Sequence, residues 1–233
     1  MRAPREPLSL PAESAGIDRA RDGVGKRSRE PDLAHERALW EGGAARVAGL
    51  DEVGMGPLAG PVVAAAVVLP PGVRIEGVRD SKRLSARRRE RLVEEIRGRA
   101  RAVGIGVVEV LEVDERNVYL AGLCAMERAV AALPEAPDHL LVDARRLRGC
   151  PIPQTSLVRG DATVLSIACA ANVAKVHRDA RMRELETRYP GYGFARHMGY
   201  GTREHMEALR RLGPTPVHRR SFAPVRALLE ASD

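Results

Sequence analysis

The segment VAGLDEVGMGPLAGPVVAAAVVL, residues 47–69, decides the fold. Its apolar runs, 47–50 and 62–69, predict neighbouring strands, and the second should be buried on both faces because it contains no polar residue. The adjacent acids Asp51 and Glu52 end the first run, and a glycine-rich turn follows at once. Carboxylates at the end of a buried strand are unfavourable unless a cation compensates them. The glycines expose backbone amides to a phosphate or a sugar, so the segment predicts chemistry on a phosphodiester.

The composition is that of a globular protein with an excess of positive charge. The 233 residues are 44% hydrophobic, and the net charge of +7 favours a polyanionic partner. Three cysteines lie far apart, which argues against a disulfide framework or a zinc site and favours a reducing cytoplasm. No apolar stretch has membrane-spanning length and no signal-peptide segment is apparent. We expect a cytoplasmic protein with no membrane association, and a monomer because no oligomer seam is evident.

The order of the predicted elements indicates an α/β fold. Residues 1–30 have no sustained apolar period and predict a disordered extension, while 31–233 form one domain that ends in a small helical part from about residue 190. A mixed central sheet flanked by helices is expected because strands come first and helices are interleaved later. Strands are predicted at 46–50, 62–69, 102–110, 140–143 and 154–158, and helices at 86–100, 114–133, 163–188 and 202–212, with 190–201 as a loop.

Four acids at the ends of predicted core elements are the candidate catalytic residues: Asp51, Glu52, Asp143 and Asp161. If the strands that precede Asp51 and Asp143 are neighbours, their carboxylates converge. Four oxygen donors without clustered histidine or cysteine suit Mg²⁺ or Mn²⁺. Two such ions, roughly 3.5–4 Å apart, can activate a water and stabilise the leaving oxygen of a phosphodiester. Singly, each acid could equally be an ordinary turn residue or helix cap; the four together with the glycine turn favour a metal site.

Two further segments could contact a nucleic acid. Lys82 lies in a turn before an arginine-rich helix, which is either a phosphate-binding face or a solvated amphipathic face. Tyr200 lies between glycines, where it could stack on a base or a sugar, or anchor the loop to the core.

The chain resembles the bacterial ribonuclease HII family from about Trp40 to Leu229. The resemblance is carried by blocks that occur in the family's order and spacing. They are AGLDEVGMGPLAGPVVAAAVVL at 48–69, DSKRLSARRRERL at 80–92, LLVDARRL at 140–147, LVRGDATVLSIACAANVAKVHRD at 157–179 and RYPGYGFARHMGYGTREHMEALRRLGPTPVHRRSFAPV at 188–225. The resemblance implies a ribonuclease H-like fold and cleavage of RNA in RNA–DNA hybrids and of single ribonucleotides embedded in duplex DNA. Products would carry a 5′-phosphate and a 3′-hydroxyl.

The resemblance also implies roles for individual residues. The family's metal ligands correspond to Asp51, Glu52, Asp143 and Asp161. Its glycine loop, here Gly54, Met55 and Gly56, contacts the ribose 2′-hydroxyl largely through backbone groups, and this hydroxyl distinguishes RNA from DNA. Tyr200 corresponds to a tyrosine that stacks on the adjoining deoxyribose, and Lys82 to a substrate-contacting lysine.

The sequence departs from the family pattern at a few positions. Met55 stands where arginine is usual, Ala144 where glycine is frequent, Thr163 where lysine is common and Ala171-Asn172 where Ser-Ile is usual. The four acids are retained, so catalysis is expected to survive. Two alternatives stay open at this point: a nuclease of the same fold that acts on DNA junctions, and a hybrid-binding protein with impaired catalysis.

Overall fold

The computed structural model describes residues 30–78 and 85–231. The predicted extension therefore lies outside the described residues except for Glu30, and Lys82 also lies outside them. Within the described ranges, no helix combines the length and the apolar character needed to cross a bilayer.

A five-stranded mixed sheet forms the centre of the molecule, with the strand order β3-β2-β1-β4-β5. β1 and β2 are antiparallel, as are β2 and β3, whereas β4 runs parallel to both β1 and β5. The predicted α/β class is confirmed. The strands are β1 Val47–Val53, β2 Val62–Val68, β3 Ala102–Val108, β4 His139–Asp143 and β5 Gln154–Leu157.

Helices cover both faces of this sheet. They are α1 Ala34–Glu41, α2 Ala86–Arg99, α3 Val110–Arg116, α4 Val118–Ala131, α5 Leu165–Arg188, α6 Phe194–His197, α7 Arg203–Leu212 and α8 Ala223–Glu230, with a 3-10 turn at Gly160–Ala162. One apolar cluster joins α4 to every second residue of β2. A second cluster joins α5 and α2 to the remaining β2 residues, which face the opposite side of the sheet. Every residue of β2 is buried, as its wholly apolar sequence predicts.

Two predicted boundaries were wrong for a local reason. The single helix expected at 114–133 is two helices, α3 and α4, separated at Asn117. Asn117 has φ 72° and its side chain accepts a hydrogen bond from the amide of Leu120, so it ends one helix and caps the next. The expected loop at 190–201 contains the short helix α6, which begins after Gly193 in the left-handed region at φ 80°.

The first strand continues further than its apolar run suggests. β1 includes both acids, and Asp51 and Glu52 pair with Ala65 and Ala64 of β2. Because side chains alternate across a strand, the two acids leave the sheet on opposite faces. Gly49, two residues before Asp51, lies against Ser166 of α5, whereas Glu52 lies beside Gly122 of α4. Asp51 therefore faces α5 and Glu52 faces α4.

Close contact between β3 and α4 depends on glycine. A Cβ atom built on Gly106 would lie 2.0 Å from the carbonyl oxygen of Ala125, and one on Gly104 would lie 2.0 Å from that of Ala129. These contacts are far shorter than van der Waals distance and involve backbone atoms, which cannot move independently. The helix that carries Gly122 beside the acids is thus held at its depth by small residues in β3.

We predict that Gly106→Ala lowers the free energy of unfolding by about 2 kcal/mol, because α4 must move away from the sheet. Gly98→Ala is the control, since a Cβ at that helical position meets nothing within 4 Å. Urea unfolding followed by circular dichroism should show Gly98→Ala unchanged or slightly stabilised. Equal stability of the two variants would contradict the tight contact.

Candidate active site

Parallel pairing of β1 and β4 brings two of the predicted acids together. Leu50 pairs with Val142, so the next residues, Asp51 and Asp143, occupy neighbouring positions on adjacent strands. Asp161 lies in the 3-10 turn, whose first amide, that of Gly160, donates a 2.7 Å hydrogen bond to Asp143 Oδ1. The fold thus gathers Asp51, Asp143 and Asp161 at one edge of the sheet, as expected from strands that end side by side.

The carboxylates repel one another in a buried setting. Burial raises the pKa of Asp51 well above its ordinary value, and the charges of Glu52 and Asp143 raise it further. Burial likewise raises the pKa of Asp143, although the amide of Gly160 opposes that shift. Such a group of carboxylates favours either a proton or a cation beside it.

Glu52 already has a cationic partner. Its Oε1 accepts a 2.8 Å hydrogen bond from Nε of Arg145, whose guanidinium lies 4.8 Å from the centre of the Tyr119 ring. Burial raises the pKa of Glu52, and the charge of Arg145 opposes the rise. Its second oxygen, Oε2, is buried and has no hydrogen-bond partner among the described residues. Ala144, between Asp143 and Arg145, has φ 49°, a left-handed conformation that glycine adopts more readily than alanine.

The donor set fits a hard divalent cation, but the side chains are not fully gathered. The candidate ligands are all carboxylates, and Glu52 keeps a free buried oxygen. In the described part of the chain, however, no three acidic, histidine or cysteine side chains converge on one point as coordination requires. Strand alternation accounts for the position of Glu52, which faces α4 and is bound to Arg145, while Asp51 faces the opposite way.

The glycine turn after β1 is held by two buried arginines. Arg219 donates hydrogen bonds to the carbonyl oxygens of Gly54, Met55 and Gly60, at 2.6 to 3.3 Å. Arg178 donates to the carbonyl oxygens of Ala59, Pro61 and Met198 at 2.9 to 3.1 Å. Burial lowers the pKa of Arg219 to about 9 and that of Arg178 to about 10. The inner edge of the turn is therefore occupied by guanidinium groups.

Sequence reasoning missed these arginines. Arg219 and its neighbour His218 are both buried. No local sequence pattern could predict these contacts, because the hydrogen bonds of Arg219 join residues more than 150 positions apart in the chain. His218 contacts His205 at 3.1 Å, and His205 in turn contacts the carbonyl oxygen of Tyr200 at 2.9 Å. This buried histidine pair supports the loop that carries Tyr200.

Tyr200 and Met55 lie on either side of the glycine turn. Tyr200 is 46% exposed, and a Cβ built on Gly56 would lie 3.6 Å from its ring. Met55 packs on the apolar cluster of α4, with its sulfur 3.0 Å from a Cβ built on Gly122. The Met55 side chain thus packs inward. The structure brings Tyr200 beside Gly56 in the turn formed by Gly54, Met55 and Gly56, while Lys82 lies outside the described residues.

The mixed sheet with acids on adjacent strands defines a protein of the ribonuclease H-like fold. Ribonuclease H2 from Pyrococcus horikoshii OT3 is similar with a TM-score of 0.69 and 26% identity, covering 80% of this chain and 98% of that one. Bst-RNase HIII in complex with Mn²⁺ matches with a TM-score of 0.63 over 82% of this chain and 71% of that one; at 20% identity this likeness shows the fold alone.

The sequence places the chain more narrowly. The family model described as ribonuclease HII matches residues 48–225. Ribonuclease HII of Geobacillus kaustophilus is 57% identical over 201 residues, which are 86% of this chain and 77% of that protein. The chain belongs to the ribonuclease HII family.

We predict that Asp51→Asn stabilises the metal-free protein at pH 8. A carboxyl whose folded-state pKa is raised disfavours folding once it ionises, so its penalty is absent near pH 3.8 and grows as the pH rises. Asparagine removes that penalty and keeps an oxygen for the 2.7 Å hydrogen bond from the amide of Glu52.

The control is Asp138→Asn, which should act in the opposite direction. Asp138 accepts backbone hydrogen bonds from Arg46 and Ala45, and these lower its pKa. Its charge therefore stabilises the fold at pH 8, and that stabilisation is lost as the pH falls. Thermal unfolding in EDTA at pH 8 and pH 4 measures both variants. A lower melting temperature for Asp51→Asn at pH 8 would contradict the repulsion described above.

Proposed function

We propose that this protein is a divalent-metal-dependent endoribonuclease that cleaves the RNA strand of RNA–DNA hybrids and duplex DNA at single embedded ribonucleotides. Products would carry a 5′-phosphate and a 3′-hydroxyl. The observation that carries the proposal is the position of Asp51 beside Asp143, next to a glycine turn with Tyr200 at its edge. Membership of the ribonuclease HII family supports it independently. Residues 31–233 would form the catalytic domain, with a helical part from about residue 190.

Mg²⁺ or Mn²⁺ is the proposed cofactor, with Asp51, Glu52, Asp143 and Asp161 as its ligands. Two bound ions would supply an activated water and charge neutralisation at the leaving oxygen. The buried, mutually repelling carboxylates and the free Oε2 of Glu52 support this assignment. Ser, Cys or His nucleophiles are unnecessary for such chemistry, because the acids only have to hold positive charge at the phosphate.

The chain's own residues would position the ribonucleotide. Arg219 engages the carbonyl oxygens of Gly54 and Met55 from inside the protein, which leaves the outer edge of the turn to the nucleic acid. Backbone groups of Gly54, Met55 and Gly56 would contact the 2′-hydroxyl. The exposed ring of Tyr200 beside this turn would stack on the adjoining sugar, and Lys82 would contact a phosphate.

One assay tests the assignment of substrate and reaction. The protein is incubated with duplex DNA that contains one ribonucleotide, with Mg²⁺ or Mn²⁺, beside an all-DNA duplex and an RNA–DNA hybrid. We expect cleavage of the two ribonucleotide-containing substrates only, and no turnover by Asp51→Asn. Equal cleavage of the all-DNA duplex would favour a junction-type DNA nuclease. Binding without cleavage in either metal would favour a hybrid-binding protein.

Tyr200→Ala tests the proposed stacking. Loss of a stacked aromatic ring costs about 1–3 kcal/mol of binding, so the affinity for the ribonucleotide-containing duplex should fall roughly tenfold. Tyr200→Phe is the control, since it keeps the ring and removes only the hydroxyl. Fluorescence anisotropy in EDTA measures binding without turnover. Equal losses in both variants would assign the contact to the hydroxyl, and no loss in either would remove Tyr200 from the substrate surface.

A further inference from the structure

An ion pair connects a proposed metal ligand to an exposed aromatic ring. Arg145 donates from Nε to Glu52 Oε1 at 2.8 Å, and the side chains of the two residues are only 19% and 10% exposed. The guanidinium lies over the ring of Tyr119 at 4.8 Å from its centre, and Tyr119 is 54% exposed. Arg145 thus lies between a buried carboxylate and an aromatic side chain that faces solvent.

The pair holds Glu52 on the α4 side of β1. Glu52 leaves β1 toward α4, whereas Asp51 leaves it toward α5. No three of the described acidic side chains converge on one point in this arrangement. Bringing the Glu52 carboxylate to an ion held by Asp51 and Asp143 requires its side chain to turn around the end of the sheet. An ion that draws the carboxylate toward Asp51 pulls it away from the guanidinium, so metal binding and the 2.8 Å ion pair oppose each other even though Oε2 is free.

Charge balance explains why an arginine stands here. A buried carboxylate without a counter-charge is strongly unfavourable, and Glu52 still has one unpartnered buried oxygen. Arg145 supplies one positive charge to Glu52 when no ion is bound. A divalent cation supplies two charges to the whole group of acids, after which Arg145 is no longer needed there. The guanidinium then becomes an unpaired cation beside the reaction site, suited to a phosphate oxygen.

We propose that Arg145 competes with the divalent cation for Glu52 and, once displaced, contacts a phosphate of the bound nucleic acid. The phosphate contact rests on the function proposed above; the competition for Glu52 does not. Tyr119 keeps the guanidinium near its starting position, because an arginine over an aromatic face is held by a cation–π interaction. Metal and nucleic acid therefore assist each other's binding through one side chain.

The first experiment measures Mn²⁺ binding without nucleic acid, by electron paramagnetic resonance of free Mn²⁺. Arg145→Met removes the charge but keeps an unbranched side chain, and it should bind Mn²⁺ at least about fivefold more tightly than the unaltered protein, a factor typical of coupled sites. Arg146→Met is the matched control, because Arg146 is the next residue along the chain and its side chain is exposed. The Mn²⁺ affinity of this variant should not change. Arg145→Lys keeps the charge and should stay close to the unaltered protein.

Weaker or unchanged Mn²⁺ binding by Arg145→Met would overturn the competition and make Arg145 a residue that orients Glu52 for the ion. Circular dichroism checks that each variant is folded. If Arg145→Met alone fails to fold, the Mn²⁺ affinity of Arg145→Lys, which retains the charge beside Glu52, is compared with that of Arg146→Met instead. In that comparison Arg145→Lys should bind Mn²⁺ as tightly as Arg146→Met or slightly more tightly, because an ammonium pairs with Glu52 less directionally than a guanidinium does. A loss of affinity would contradict the proposal.

The second experiment measures nucleic-acid binding with an all-DNA duplex, which offers phosphates but no ribonucleotide. Anisotropy with and without Mn²⁺ gives the factor by which the metal changes affinity. We expect this factor to fall severalfold in Arg145→Met and to stay constant in Arg146→Met. An unchanged factor would remove the phosphate contact. Tighter Mn²⁺ binding by Arg145→Met in a protein that cleaves no ribonucleotide-containing duplex would sustain the competition and reject the proposed function.

Discussion

Repulsion between buried carboxylates is the constraint on which the functional part of this protein depends. The parallel pairing of β1 with β4 sets Asp51 beside Asp143, and the 3-10 turn adds Asp161. Burial and neighbouring charges raise the pKa of Asp51 well above its usual range. The fold maintains this unfavourable group with a fully buried β2 and with helices on both faces of the sheet. The packing of the core thus offsets the free-energy cost of the repelling carboxylates, as is common at functional sites.

Arginine side chains have two different roles beside these carboxylates. Arg145 offsets the charge of Glu52, while Arg178 and Arg219 satisfy backbone carbonyl oxygens of the turn that follows β1. The latter two are buried deeply enough to lower their pKa values, so their hydrogen bonds to carbonyl oxygens are needed to keep them in place. They fix the turn from within and leave its outer edge available. Glu52 and the turn are thus held by separate arginines, so the Glu52 contact can change while the turn stays in place.

The sequence predicted the sheet and the order of its strands along the chain, because apolar runs are local features; the role of the four acids stays a prediction. The register of β1 against β4 confirmed that Asp51 and Asp143 are neighbours. The break at Asn117 could not be predicted, since asparagine is compatible with a helix and its left-handed conformation depends on packing. The opposite orientations of Asp51 and Glu52 follow from simple alternation, but only once β1 is known to continue through both residues. Arg145 and Arg219 act across long sequence separations, which no local pattern encodes.

The central claim is that the carboxylates at the edge of β1 and β4 form a divalent-cation site. Anomalous X-ray diffraction from crystals grown with Mn²⁺ tests it most directly. The account predicts a manganese peak at bonding distance, about 2.1 Å, from carboxylate oxygens of both Asp51 and Asp143. Saturating Mn²⁺ with no peak between these two side chains, or a peak only elsewhere on the protein, would contradict it.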